Sequence, residues 1–522
     1  MSKCVFVKRW YPRGRHRFFV WISIADKTIL GRKTLMIDFL NWLNGMLWGL
    51  PLIALMIVAG LYFTIRSGAF QFRHFGWIIK HTGGRLTSKE SGEGDGMLSP
   101  FEAICTAVGG TVGFGNIAGV ATAVAAGGPG AVLWMWLTAC LGMILKQVEV
   151  TLGCYYRSTK ENGDTYGGPT YYMQKGLGEE RNWGKLWKIP AVIFGIGIFS
   201  TFFVTSSNLT ASEVVAGAFN MSDLTLGGFT IESEIIVGIL LAALTYFITA
   251  GGTRGVANTF SKLVPIMSIV YIIMGIAMII VNIKAVPGAI ATILTGAFTG
   301  HAAVGGFAGA AVSGMIQTGM ARSVYSNEAG WGTSPMIHAS AKTRHPVEQG
   351  LWGSFEVFFD TFVVCSITAL SVILSGTWTS GSTGGALALS AFAEGFGTIG
   401  SILLAIIMVI FTVTTSGGWF TYYLAILEHL NLKDGLLSKI IMKLFYATRA
   451  LPGVLWTIYL VKTGNTGFIW TVVDITSAIP TFVNVFVILL LSGQYFKLLK
   501  DYKARYMGIG EVEKGTKLFY EE

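Results

Sequence analysis

Long apolar stretches decide what this sequence can fold into. A helix needs about 20 apolar residues to cross the hydrocarbon core of a bilayer. Eleven stretches approach or exceed that length, at residues 40–64, 99–126, 130–155, 187–208, 234–250, 260–283, 303–338, 349–374, 398–427, 443–461 and 467–494. Charged side chains make up only 13% of the chain, against about 25% in soluble domains. We therefore predict an all-α polytopic membrane protein with 11 transmembrane helices.

The distribution of Lys and Arg predicts the orientation of these spans. Positively charged residues stay on the cytoplasmic side of a membrane protein. One set of alternate connections holds 26 of them, whereas the other set holds only Lys284 and Lys462. We therefore expect the tail at 496–522 to be cytoplasmic and, after eleven crossings, the N-terminus to lie outside. The expected location is the cell membrane, plasma or inner.

The first 35 residues form a basic extension that conflicts with this orientation. They contain nine Lys or Arg residues, which would have to be translocated. Met36 stands directly ahead of the first span, so one interpretation is that translation starts there and that residues 1–35 are not native. A genuine basic extension is the other. Since most of the net charge of +10 lies in this segment, it does not indicate a nucleic-acid partner.

Two of the eleven stretches contain helix-breaking sequence. In the second, Gly109, Gly110, Gly113 and Gly115 fall within seven residues, and each glycine inside a helix costs about 1 kcal/mol relative to alanine. The seventh is interrupted by small and polar residues, namely Gly319, Ser326, Asn327, Glu328, Gly330 and Gly332. Non-helical backbone is tolerated at membrane depth only where it is buried in protein or lines a cavity. We therefore predict two discontinuous helices, the first unwound near residues 111–116.

The positions of the two breaks predict an internal repeat. One leading helix is followed by five stretches over 99–283 and five more over 303–494, and a broken stretch opens each group. Because five is odd, the second group runs through the membrane in the opposite sense, which gives a 5+5 inverted repeat. Interrupted helices at corresponding positions of inverted halves are typical of secondary transporters with a site at the membrane midplane. Close helix packing is the alternative use of glycine in such helices.

Four long motifs carry a family resemblance. They are "GDGMLSPFEAICTAVGGTVGFGNIAGVATAVAAGGPGAVLWMW" from Gly94, "YGGPTYYMQKGLG" from Tyr166, "YSNEAGWGTSPMIHASAKTRHPVEQGLWGSFEVFFDT" from Tyr325 and "WTVVDITSAIP" from Trp470. With these motifs in this order, the chain resembles the alanine/glycine:cation symporter family of sodium-coupled amino acid carriers. The resemblance covers a transporter domain over 36–495 and implies the fold of the amino acid/polyamine/organocation superfamily.

The first break is the predicted substrate site. A half-helix that starts near Ile117 would aim the N–H groups of Phe114, Gly115 and Asn116 at a substrate carboxylate, helped by the positive end of its dipole. Gly113 lets the backbone approach the substrate closely. By resemblance, these amides are the main substrate contacts.

The resemblance extends this site and also marks where the chain departs from the family pattern. Trp419, in the ninth stretch, is implied to face the substrate. Ser206 stands in the pocket where glutamine is expected, Trp331 stands where a smaller aliphatic residue is usual, and Phe114 replaces threonine or a small aliphatic residue. A bulky ring at 114 would reshape the pocket. Alanine or glycine is the expected substrate, and another small zwitterion is the alternative.

Sodium is a hard cation that requires oxygen ligands. Unwinding frees main-chain carbonyls, so we expect Gly109 and Val112 to supply two of them. The family pattern places paired hydroxyls at Thr414 and Thr415. The alternative is that these threonines bond to carbonyls of their own preceding turn. Asn116 is expected either to serve a second cation or to cap the half-helix.

Charged residues inside membrane spans are expensive and are functional hypotheses by default. The candidates for a gate or an ion pair are Arg322, Glu328, Asp360 and Asp474. Lys146 and Glu149 lie three residues apart on one predicted helix, a spacing at which side chains can pair.

These features predict a secondary active transporter in which sodium, moving down its gradient, drives uptake of a small neutral amino acid by alternating access. Proton coupling is the alternative to sodium coupling. The expected partners are the amino acid, the sodium ion and the lipid bilayer, with no nucleic acid, and the expected oligomeric state is a monomer. A membrane sensor or an intramembrane enzyme is a remote alternative, because the sequence shows neither an output domain nor an acid/base or metal constellation.

Overall fold

The computed structural model describes residues 36–85, 94–299, 308–430, 435–464 and 466–521. The basic extension at 1–35 and residues 303–307 of the seventh apolar stretch lie outside the described residues. The described chain is largely helical, with two short antiparallel hairpins. Their strands are β1 (Ser158–Thr159), β2 (Thr165–Tyr166), β3 (Leu224–Leu226) and β4 (Phe229–Ile231).

Helices α1 to α12 follow one another in the described residues up to 299. Their bounds are Met36–Arg66, Phe70–Arg73, Phe75–His81, Pro100–Thr111, Gly115–Gly127, Ala131–Tyr155, Pro169–Tyr172, Lys188–Phe203, Ser207–Ala218, Ser233–Thr249, Gly252–Val281 and Val286–Thr299.

Helices α13 to α20 follow in the described residues from 308 onward. Their bounds are Ala308–Asn327, Ser334–His338, Pro346–Leu374, Gly384–His429, Leu436–Thr448, Leu451–Thr463, Thr466–Leu490 and Ser492–Met507. Helix α15 contains a wider π-helical segment at Phe358–Cys365. Helix α16 is kinked at Gly397, whose φ of 61° favours glycine.

Seven of the described helices or joined helices are long and apolar enough to cross a membrane, namely α1, α6, α8 with α9, α11, α15, α16 and α19. The bent pairs α4–α5 (45°) and α17–α18 (44°) raise this number to nine. The chain is therefore a multi-pass membrane protein. This measure does not reach the predicted eleven spans, because α10 has only 17 residues and α13, the described part of the seventh stretch, is long enough but not apolar enough.

The outer surface of the helices suits a lipid environment. On α11, exposed isoleucines recur every three or four residues, at Ile266, Ile269, Ile273, Ile276 and Ile280. This spacing places them on one face of the helix. An apolar face of this kind is compatible with lipid and would be unfavourable in water.

The broken helix α4–α5 lies inside the fold, where α4 packs against α11 and α16. The approach is closest at two glycines, since a Cβ on Gly418 of α16 would lie 2.6 Å from the Cα of Gly110. Glycine at these positions lets the two backbones touch. The second broken helix, α13–α14, packs on α6, which also lies along α15.

A third helix is also discontinuous, between α8 and α9. The sequence predicted one span over 187–208, but helical structure stops after Phe203 and resumes at Ser207, and α9 continues to Ala218. Val204 has extended backbone (φ −126°, ψ 91°). The predicted end at 208 was therefore wrong. The hydropathy pattern ended the span early because α9 contains polar residues, although most of that helix is buried in protein.

Candidate functional site

The first break lies between α4 and α5. Helix α4 begins with a capping box, in which the Glu102 amide donates to Ser99 Oγ (3.2 Å) and the Ser99 amide donates to Glu102 Oε2 (2.9 Å). It ends at Thr111, after which Val112 is extended (ψ 100°). The helix resumes at Gly115 as a π-helical turn, two residues earlier than the predicted start near Ile117.

The break leaves several backbone groups unpaired. The Gly113 amide donates to Asn116 Oδ1 (2.8 Å), and the Asn116 amide donates to the Gly113 carbonyl (3.1 Å). In the described chain no backbone or side-chain acceptor pairs with the amides of Phe114 or Gly115. The Gly109 carbonyl also lacks its helical donor, because that donor would be the Gly113 amide. Two of the three predicted carboxylate-binding amides are thus free, whereas the Asn116 amide is occupied.

The Asn116 side chain belongs to a polar network behind the break. Its Nδ2 donates to the Asp360 carboxylate and to Cys365 Sγ (3.3 Å). Ser326 Oγ, near the end of α13, donates to the other Asp360 oxygen (2.7 Å). Asp360 therefore joins the two broken helices. Asn116 is not an N-cap, because its side chain accepts from Gly113, which precedes it, and not from the following turn.

The second break lies between α13 and α14, where Glu328, Gly330 and Gly332 all have positive φ. The amides of Gly330 and Gly332 donate to the Glu149 carboxylate (3.3 and 3.1 Å). Asn484 Nδ2 donates to the same carboxylate (2.7 Å). The carboxylate of Glu149 thus accepts hydrogen bonds from backbone amides that the break leaves without helical acceptors.

Lys146 binds a backbone acceptor of the same break, whereas Glu149 binds backbone donors. Its ammonium donates to the Asn327 carbonyl and pairs with Glu356 (2.9 Å), and both charged side chains are fully buried. The pairing of Lys146 with Glu149 suggested by their spacing does not form, because each side chain binds a different group of the second break. Sequence reasoning missed Glu356, although a carboxylate within a predicted span was the available signal.

A cavity of about 90 Å³ lies between the two breaks. The residues named in the sequence analysis that line it include Gly110, Phe114, Gly115, Glu328, Trp331, Thr415 and Trp419. The α8–α9 break adds Thr205, Ser207 and Asn208, which the sequence did not indicate. The aromatic wall includes Tyr325, Trp331 and Tyr423.

Two ring contacts shape this wall. Trp331 lies edge-on to Trp419, with ring centroids 5.0 Å apart, and Phe114 lies edge-on to Tyr325 at 6.0 Å. Phe114 is almost completely buried. The rings of Phe114 and Trp331 therefore both form part of the cavity wall.

Several predicted residues lie behind the cavity wall. Ser206 contacts the Tyr325 hydroxyl (3.3 Å), while its neighbours line the cavity. Gly109, Val112, Gly113 and Asn116 belong to the backbone around the break. Arg322 donates to both carboxylate oxygens of Asp474 and stacks over Trp470, 4.8 Å from the ring centroid.

The two candidate ion-site threonines differ in their hydrogen bonding. Thr414 Oγ1 lies 3.0 Å from the Ile410 carbonyl and 3.1 Å from the Phe411 carbonyl, so it bonds within its own helix. Thr415 Oγ1 is buried and has no partner in the described chain. It faces the first break, since a Cβ added to Gly113 would overlap it. Of the two hydroxyls, only that of Thr415 is available beside the unwound backbone.

Comparison with known proteins gives a family match over almost the whole chain. Residues 33–513 match the model of the sodium:alanine symporter family. An uncharacterized transporter of Haemophilus influenzae is 36% identical over 90% of this chain and 96% of its own. The sodium/alanine symporter AgcS of Methanococcus maripaludis is 32% identical over 88% of this chain and 95% of its own. The probable sodium/glutamine symporter GlnT of Bacillus subtilis is 35% identical, over 88% and 89% respectively.

The fold also resembles that of a solved protein structure. The crystal structure of MhsT in complex with L-phenylalanine superposes with a TM-score of 0.54 over 76% of this chain and 90% of MhsT, at 17% identity.

Proposed function

Because this chain belongs to the sodium:alanine symporter family, a family of transporters and not of enzymes, we propose that it couples sodium movement to uptake of a small neutral amino acid, alanine or glycine. The observation that carries this proposal is the pair of amides at Phe114 and Gly115, which have no acceptor in the described chain and belong to residues that line the cavity. Oriented N–H groups at the start of a half-helix suit a carboxylate that has left water.

The names of the relatives favour a neutral amino acid as substrate. AgcS is named a sodium/alanine symporter and GlnT a probable sodium/glutamine symporter. Phe114 and Trp331 narrow the cavity, which favours the smaller of these substrates. Another small zwitterion remains the alternative.

We place the coupling sodium between the first break and α16. In the described chain the Gly109 carbonyl lacks its helical donor and the Thr415 hydroxyl has no partner, and the carbonyl of Val112 lies in the same unwound segment. These are hard oxygen donors of the kind that sodium requires. Thr414 contributes less, because its hydroxyl is engaged within its own helix. Protons are the alternative coupling ion.

We also propose eleven spans arranged as a leading helix and an inverted 5+5 repeat. The leading span is α1. The first five are α4–α5, α6, α8–α9, α10 and α11, and the second five are α13–α14, α15, α16, α17–α18 and α19. Support comes from the breaks in α4–α5 and α13–α14, which open the two sets. With a cytoplasmic C-terminus, this gives an external N-terminus in the cell membrane, and we expect a monomer.

The Arg322–Asp474 pair is proposed as a gate beside the substrate cavity. It joins α13 to α19 next to Tyr325 of the cavity wall. Alternating access would require this contact to open when the substrate enters. Asp360 is proposed to hold the two breaks together, because it accepts hydrogen bonds from both.

Uptake into proteoliposomes tests the proposal. Labelled alanine and glycine would be offered with sodium, lithium or potassium outside at matched pH. We expect accumulation only with an inward sodium gradient. Accumulation that ignores sodium and follows a pH gradient would replace sodium with protons as the coupling ion.

A further inference from the structure

Glu328 is a buried carboxylate that lines the cavity and, within the described residues, has no cationic partner. The residue is only 2% exposed to solvent. One oxygen, Oε2, accepts a hydrogen bond from Thr333 Oγ1 (2.5 Å). In the described chain no Lys, Arg or His lies within ion-pair distance of it, and Lys146 is paired with Glu356. A buried carboxylate with so little compensation is costly.

The other carboxylates around the two breaks are better compensated. Asp474 pairs with Arg322, and Glu356 pairs with Lys146. Asp360 accepts from four side chains, whereas Glu149 accepts from two amides and an asparagine. Glu328 alone among these five has a single hydrogen bond and a place in the cavity wall.

The cavity therefore presents groups of opposite polarity from its two broken helices. The first contributes the free amides of Phe114 and Gly115, which suit a carboxylate. The second contributes Glu328, which suits a cation. A zwitterionic amino acid carries both charges on one carbon atom.

We propose that Glu328 binds the ammonium group of the substrate. The inference rests on the proposed function, because it assigns one end of the transported amino acid. It makes the protonated amine a requirement for binding. Lactate has the skeleton of alanine with a hydroxyl in place of the ammonium group. Its affinity should therefore be much lower than that of alanine, because it lacks this one interaction.

The test compares alanine with lactate as competitors of labelled alanine binding to the purified full-length protein. In the wild type, alanine binds and lactate competes only at concentrations at least a hundredfold higher. Glu328→Gln lowers alanine affinity at least tenfold and leaves lactate nearly unchanged, so the ratio of the two affinities falls at least tenfold. Glu328→Asp retains the charge and keeps the ratio within about threefold of the wild type.

Thr333→Val is the matched control, because it removes the hydrogen bond to Glu328 and keeps the charge. We expect it to preserve the alanine-to-lactate ratio. A purely structural role for Glu328 would reduce the amount of active protein and leave the ratio unchanged in Glu328→Gln, and that result overturns the inference. If Glu328→Gln does not fold, loss of the ratio in Glu328→Asp overturns it equally. A wild-type protein that binds no amino acid refutes the proposed function instead, which keeps the two failures distinct.

Discussion

Thr414 and Thr415 form a matched pair for testing the proposed ion site. They are adjacent, both are buried, and the same isosteric change to valine removes one hydroxyl from each. Their hydroxyls differ in one respect: that of Thr414 bonds to its own helix, whereas that of Thr415 has no partner beside the first break.

The structure predicts opposite consequences for the two variants. A buried hydroxyl without a partner costs about 1–3 kcal/mol, so Thr415→Val should not lower stability in the absence of sodium. If the hydroxyl binds sodium, its loss should cost about 1.5–3 kcal/mol, taking a hydrogen bond to a charged group as a guide. That is a tenfold to hundredfold rise in the sodium concentration for half-maximal uptake. Thr414→Val should instead lose about 0.5–1.5 kcal/mol of stability with little change in sodium activation.

The assay measures initial alanine uptake against sodium concentration in proteoliposomes, together with the melting temperature without sodium. Insertion and orientation are matched by the amount of reconstituted protein accessible from outside. Sodium activation of Thr415→Val that matches the wild type, or equal shifts in both variants, would refute the placement of the ion.

Three further outcomes are expected. Phe114→Thr should widen the cavity, so glutamine should inhibit alanine uptake at least tenfold better than in the wild type; equal inhibition would contradict the role of the ring. Asp474→Asn leaves Arg322 buried without its counter-charge, and breaking such a pair costs about 3–5 kcal/mol, so a melting temperature equal to the wild type would count against a buried pair. Burial lowers the pKa of His345 to about 4, although Asp501 opposes this; the unfolded chain then takes up a proton that the folded chain does not, and stability should fall as the pH drops from about 6.5 toward 4. This decline should be smaller in His345→Gln.

The sequence predicted the first break well because its cause is local. Four glycines within seven residues disfavour a helix wherever they stand, and the free amides at Phe114 and Gly115 follow from that local geometry. The family pattern implied that Trp419 faces the substrate and that Thr415 binds sodium, and both residues line the cavity. These features needed no knowledge of distant partners.

The features that the sequence did not predict depend on distant contacts. Asp360 is 244 residues from Asn116, and their hydrogen bond decides that the asparagine side chain turns away from the cavity. Glu356 is 210 residues from Lys146. The break between Phe203 and Ser207 contains neither glycine nor proline, so it carries no local signal of the kind that marked the first break. The choice between the two threonines depends on side-chain rotation, which spacing cannot reveal.

The double hydrogen bonding of Asp360 has a thermodynamic consequence. This carboxylate links the broken helix α4–α5 to the end of α13, so a displacement of one would strain its hydrogen bond to the other. If sodium binds at the break of α4–α5 and the amino acid contacts both broken helices, each ligand favours the same arrangement of the two helices. Linkage is reciprocal, so the factor by which sodium tightens amino acid binding must equal the factor by which the amino acid tightens sodium binding. Cotransport by this chain would then draw part of its obligatory character from one shared carboxylate.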